Sequence, residues 1–169
     1  MRKASHNRVL LEAIGESLPA GASLAMWDSL DLPIFNSDLA EPPGAARLKQ
    51  AIADADGLVI AVPEYNYSIP GGLKNALDWV SRPQPGPLRG KPVGIVGAAS
   101  GMSGTIRAQA HLRQILQYSD CAVLAQPEVL IARAHERFAG GKLTDEPSRA
   151  QVTLFATTLV KFVAHHRAR

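Results

Sequence analysis

The chain has 169 residues, 46% hydrophobic and 20% charged, the make-up of an ordinary soluble globular protein long enough for one sizeable core. Its net charge of +3 comes from scattered basic residues, and aromatics make up only 5%, so nucleic acid is not an expected partner, whereas anionic dinucleotides and oxyanions are favoured. No apolar run approaches the ~20 residues of a membrane span, no secretory h-region opens the chain, and the single Cys121 excludes an internal disulfide and a Cys-based metal cluster. The expectation is a cytoplasmic protein with no membrane partner and no resident metal, forming one domain over residues 1–169.

In chain order, residues 1–18 read as a polar entry into a helix with Leu10 or Leu11, Ile14 and Leu18 on its apolar side and Ser5 as N-cap. Arg2, Lys3, His6 and Arg8 crowd the helix start, where positive charge opposes the helix dipole unless an anion sits among them. On these residues alone, a phosphate site and an unstructured basic terminus both remain open. Ala22 to Trp27 reads as a strand, and 44–55 as a short helix with Leu48, Ile52 and Ala55. Leu58 to Val62 is a short β-branched run flanked by Gly57 and Pro63, which predicts a strand buried on both faces of a parallel sheet. The helix after it, opened by Ser68 or Pro70, carries Leu73, Ala76, Leu77 and Val80 on one stripe. Between them lies a polar and aromatic loop, Pro63-Glu64-Tyr65-Asn66-Tyr67-Ser68, at the carboxyl end of a strand. Ligands bind there in open α/β sheets, although an ordinary connection fits the pattern too.

A second strand is expected over 91–99, then a glycine-rich turn, Ser100 to Thr105, opening a helix with Ala108, Leu112, Ile115 and Leu116 as its apolar stripe. Small residues at that turn let a ligand approach the backbone. The turn does not fit the nucleoside-triphosphate loop and is a poor dinucleotide fingerprint. Residues 121–124 read as the last strand, 138–145 as a polar hairpin-like loop, and the chain from Pro147 as a helix with Val152, Phe155, Leu159, Phe162 and Val163 on one face. His111 has no partner at metal spacing and reads as a satisfied histidine. No nucleophile elbow, His-Glu-x-x-His or Cys–His pair is present, so no catalytic side chain is assigned. Asp78 is expected to pair with Lys74 one helical turn away rather than with Glu64.

Pro63-Glu64-Tyr65-Asn66, then Ser68, Pro70-Gly71 and Leu73-Lys74-Asn75-Ala76-Leu77-Asp78-Trp79, closely resemble the signature of the NAD(P)H-dependent FMN reductases, which include bacterial quinone, chromate and azo-dye reductases. The resemblance implies a flavodoxin-like three-layer α/β sandwich with a parallel sheet. It implies FMN as cofactor and NAD(P)H as co-substrate, with the cofactor carrying the redox chemistry. Arg2, Ser5 and Asn7 fall on the family's phosphate loop; Pro63, Glu64, Tyr65 and Asn66 fall on the loop at the flavin edge; Ala98, Ser100 and Gly101 fall on the loop against its ring. The 31–36 segment and the Arg107-to-Gln114 run resemble segments near the subunit contacts, implying a homodimer or homotetramer. Family members carry residues upstream that form a first, central strand, so the sheet here is expected to have that strand missing or truncated. The implied activity passes hydride from nicotinamide through FMN to quinones, azo compounds, free flavin or metal oxyanions such as chromate. The other readings are a flavodoxin-like electron carrier and a protein that kept the fold and lost FMN.

Overall fold

A computed structural model describes residues 5–27, 32–82 and 84–167. Helix α1 (His6–Glu16) comes first, with Ser5 as its N-cap accepting from the Arg8 N–H, and it buries Leu10 and Ile14. Helix α2 (Pro43–Asp54) buries Ala45, Leu48 and Ile52. Strand β1 (Leu58–Ala61) then leads to α3 (Gly71–Val80), whose N-cap is Pro70, the second of the two expected openers. Strand β2 (Pro92–Ala98) is buried along its whole length and leads to α4 (Ile106–Tyr118). The short β3 (Ala122–Val123) and β4 (Val129–Ile131) precede a one-turn α5 (Ala134–Arg137) and a small antiparallel hairpin of β5 (Phe138–Ala139) and β6 (Lys142–Leu143). The long α6 (Glu146–Arg167) follows.

Strand β2 is the spine of the sheet. One edge takes β1 in parallel, from Leu58 opposite Val93 to Ala61 opposite Val96. The other edge takes β3 opposite Pro92 and Val93 and β4 opposite Val96 to Ala98, also in parallel. The last strand expected at 121–124 is therefore only the first half of an interrupted edge. Its second half went unread because three residues after Gln126-Pro127 carry too little pattern to count as a strand.

Two further expectations change in kind. Ala22 to Trp27 runs without a strand partner among the described residues, since extended backbone becomes a strand only beside a neighbour. Strand β1 is half-buried at all four positions rather than buried on both faces. Among the described residues β2 is its only sheet neighbour, and no strand precedes it.

Side chains alternate to the two faces of the sheet, as the pleat requires. Val59, Ala61, Val96, Ala98, Val129 and Ile131 pack with α1 and α6, through Leu10, Ile14, Val152, Phe155 and Leu159. Leu58, Ile60, Val93 and Ile95 pack with α2, α3 and α4, through Leu48, Ile52, Ala76, Leu77, Val80, Leu112 and Leu116. Three layers result, with helices on both faces. Glycine makes the closest contacts possible: a Cβ on Gly94 would sit 2.5 Å from Phe155 of α6. On Gly97 it would sit 1.9 Å from the Thr105 hydroxyl and 2.7 Å from the Val62 carbonyl. No helix among the described residues is long and apolar enough to cross a membrane.

Candidate functional site

The carboxyl ends of β1 and β2 and the start of α1 converge, and the residue that joins them is Asn7. Its side-chain amide donates to the Ala98 carbonyl at 2.9 Å and accepts from the Ala98 N–H at 2.9 Å. Asn7 is 8% exposed and Ala98 3%, so both bonds are shielded from water. One side chain thus meets β2 as a neighbouring strand's backbone would. Ser5 caps the helix beside it at 3.4 Å, while Arg2 lies outside the described residues. The expected phosphate-loop asparagine is therefore a bracket whose side chain is already engaged on both polar atoms.

Beyond β1, the loop turns tightly. Tyr65 and Ser68 exchange two backbone hydrogen bonds, at 2.9 and 3.0 Å, and the residues between them, Asn66 and Tyr67, both have positive φ, 50° and 64°. That is a two-residue turn of the primed kind, whose first left-handed position suits asparagine and whose second is filled by an unusual tyrosine. Tyr65 and Tyr67 project into solvent, 61% and 68% exposed. Beyond β2, the Ala98–Gly101 turn is fastened to the segment after β4: Ala99 donates to Ile131, Ala134 to Ala99, and Arg133 to Gly101. Ser100 and Gly101 are exposed, and a Cβ on Gly101 would meet nothing within 4 Å.

Among the described residues, the backbone N–H groups of Glu64, Asn66, Ser100 and Gly101 have no hydrogen-bond partner. Unpaired N–H groups demand an acceptor when covered, so the two turns, which follow paired neighbouring strands, offer uncommitted donors at the strand ends. That arrangement fits a flat ligand with polar edges, and an α/β sheet holds its ligands at this end. It fits FMN.

Glu64 faces elsewhere. Its Oε2 accepts from the backbone N–H of Arg107 at 3.0 Å and of Ala108 at 3.4 Å, and its Oε1 accepts from Arg107 Nη1 at 2.6 Å. Burial pushes the carboxyl up, but the Arg107 side chain and the N–H groups of Ala108 and Arg107 outweigh it and hold the group below its ordinary value. His111 and Ser68 meet at 3.0 Å, which satisfies the histidine as expected. Asp78 pairs with Lys74 at 2.6 Å, also as expected.

A third wall comes from the segment 32–36. The Asn75 amide of α3 donates to the Pro33 carbonyl at 3.0 Å and accepts from the Phe35 N–H at 2.7 Å. Trp79 adds a bond to the same carbonyl at 2.8 Å, and its ring meets Phe35 edge-on. Sequence reasoning missed Asn75, Arg107 and the 131–134 segment as parts of the site. Arg107 and His111, one helical turn apart just past a glycine-rich turn, were the available signal for α4. A groove of about 1070 Å³ lies between α1 and the start of α6, lined in part by Val9, Glu12, Lys142 and Arg149, and none of the expected site residues among those described lines it. No cluster of metal-ligating side chains occurs among the described residues.

Comparison with known proteins agrees with this geometry. The sequence profile of NADPH-dependent FMN reductases matches residues 1–136. The chain is 46% identical over 154 residues to the NAD(P)H-dependent FMN reductase of Pseudomonas aeruginosa, covering 88% of this chain and 83% of that one. It is 42% identical over 135 residues to a quinone reductase of Escherichia coli, covering 77% and 72%. Among solved structures, the flavoenzyme NAD(P)H:acceptor oxidoreductase of Paracoccus denitrificans superposes with a TM-score of 0.90 at 32% identity, over 98% of this chain and 93% of that one. The three layers, the strand-end donors and the sequence matches agree: this flavodoxin-like chain belongs to the NADPH-dependent FMN reductase family.

Proposed function

We propose that the chain is a cytoplasmic, FMN-containing NAD(P)H oxidoreductase that reduces quinones, with azo compounds, free flavin and metal oxyanions as further acceptors. Its 169 residues would form one FMN-binding domain. The observation that carries this reading is the pair of turns at the ends of β1 and β2, with uncommitted N–H groups on Glu64, Asn66, Ser100 and Gly101. When bound, FMN supplies the two-electron redox chemistry between nicotinamide and acceptor. The residues of the chain bind and orient. The free N–H groups of the turns would hold the polar edge of the ring, Tyr65 would flank it, and the start of α1 with Arg2 and the Ser5 hydroxyl would receive the phosphate. Nicotinamide and acceptor use the same exposed side in turn, which calls for a shallow site rather than a closed cavity.

Tyr65, Tyr67, Met102 and Ile106 place large apolar groups 49–79% exposed at or just beyond the two turns. This favours a second copy of the chain covering that rim, in a homodimer or homotetramer. The test is an FMN titration of the purified protein followed by thermal melting and an NADPH–benzoquinone assay. FMN at about 100 times its dissociation constant should stabilise the fold by about 2.7 kcal/mol, and quinone should then accelerate NADPH oxidation. A melting point indifferent to FMN, with no quinone-dependent oxidation, would overturn the reading.

A further inference from the structure

Helix α4 holds the 65–68 turn by contacts that the sheet does not require. Thr105, at the N-cap position of α4, makes no capping bond with its side chain. Glu64 does that work from 43 positions upstream, accepting the Arg107 and Ala108 N–H groups on one oxygen and the Arg107 guanidinium on the other. The same guanidinium lies 4.2 Å from the centre of the Tyr67 ring. One turn further along α4, His111 meets Ser68. The helix therefore grips the turn before its tip, at its tip and after it, and the tip holds two residues at positive φ that ordinary side chains avoid.

We propose that Glu64, Arg107 and His111 are positioning residues: α4, rather than the turn itself, sets where Tyr65 and the Asn66 backbone stand, and through them how tightly the electron acceptor binds. The acceptor half of this proposal rests on the function proposed above. The Glu64 side chain then serves the site without touching the cofactor, since its carboxylate is spent on α4. Arg107 is not replaceable by lysine here, because a compact ammonium lacks the planar group that lies over Tyr67 while one of its nitrogens bonds Glu64.

Hydrogen exchange on the protein without flavin, nicotinamide or acceptor reads the grip directly. Arg107→Lys and Glu64→Gln should each speed exchange of the Tyr65 and Ser68 amides about tenfold, equal to ~1.4 kcal/mol of lost protection, with β2 amides unchanged. The double variant should exceed the larger single effect by less than about twofold, because the two residues form one unit. With FMN and NADPH supplied, Arg107→Lys should raise KM for benzoquinone about fivefold and change kcat less than about twofold, the pattern of lost acceptor binding rather than lost chemistry. Arg89→Ala, an exposed ion-pair partner of Asp120 outside these contacts, serves as control. Should Glu64→Gln lose protection in β2 as well, Arg107→Lys and His111→Ala carry the same measurement. Unchanged exchange at Tyr65 and Ser68 in these variants overturns the grip. Faster exchange with an unaltered quinone KM overturns the acceptor half. Faster exchange in a protein that binds no FMN refutes the flavin reading and the acceptor half with it, and leaves the grip supported.

Discussion

Replacing Asn7 by alanine removes one side chain and strands two buried groups. The Ala98 N–H and C=O, each bonded to the Asn7 amide at 2.9 Å, lose their partners in a place where Ala98 is 3% exposed. An orphaned buried donor or acceptor costs about 1–3 kcal/mol. Two such groups cost about 2–6 kcal/mol and alanine returns at most ~0.7 kcal/mol in helix propensity, so a net loss of about 1–5 kcal/mol is expected. For a chain of this size each kcal/mol moves Tm by about 2–4 °C, which gives a fall of roughly 3–20 °C in a calorimetric or circular-dichroism melt. Asn7→Asp sharpens the test. A carboxylate still accepts from the Ala98 N–H but sets a second oxygen against the Ala98 carbonyl, whereas its protonated form can donate to it. The folded state should therefore raise that carboxyl's pKa. The deficit relative to wild type should then be smallest at acid pH and grow as pH rises above the unfolded carboxyl value of about 3.9. An Asn7→Ala protein melting within about 2 °C of wild type would refute the reasoning, since Ala98 would then have found other partners.

Gly97→Ala should prevent stable folding, and adding Thr105→Ala should rescue it only in part. The hydroxyl 1.9 Å from the new Cβ is removed by the second change, but the Val62 backbone oxygen at 2.7 Å is not; soluble yield and Tm report both. Glu64 has a carboxyl held below its ordinary 4.5, so its stabilising contribution is complete above that pH and is lost as pH falls through the lower folded value. Glu64→Gln should accordingly flatten the acid limb of a plot of urea midpoint against pH. The same sign holds for Asp145, whose carboxyl is held down chiefly by the Ser148 hydroxyl against a smaller opposing effect of burial, with Arg137 and the Ser148 N–H adding to the lowering. Asp145→Asn should fray the first turn of α6, seen as faster amide exchange over 148–151. Cys121 has its thiol pushed up to about 11 by burial and by the neighbouring Asp120 charge. A disulfide reagent at pH 8 should therefore label it slowly in the native protein and rapidly in urea.

The five long helices and the two main strands were legible because apolar periodicity is a local property, whereas the one-turn α5 was not read. Leu10 with Ile14, Leu48 with Ile52, and Val152 with Phe155 and Leu159 all face the core as their spacing predicts. Strand β4 was not legible: three residues after a proline carry almost no periodicity, and their status comes from Val96 to Ala98 beside them. Ala22 to Trp27 shows the converse, a sequence shaped like a strand with nothing to pair against. At the site, resemblance located the turn at 63–66 and the turn at 98–101, but not what holds them. The partners of Asn7, Asn75 and Glu64 lie 91, 42 and 43 positions away, and nothing in a local pattern encodes a separation of that kind. Glu64 is the clearest case, since its place in the signature suggests contact with the cofactor and its oxygens go to a helix instead.

The three asparagine and glutamate fastenings have a consequence for how such a scaffold diversifies. The sheet is secured by many backbone bonds that rest on no particular polar side chain. The polar fastenings of each wall of the crevice are few: the start of α1 is bonded to the end of β2 by Asn7, the 32–36 segment is held on α3 by Asn75 and Trp79, and the tyrosine turn is held on α4 by the Glu64–Arg107 pair and His111. A mutation at one of these points can shift one wall while the others and the core stay in register. Lineages sharing this architecture can thus explore new acceptors one wall at a time, at a stability cost set by the fastening of that wall.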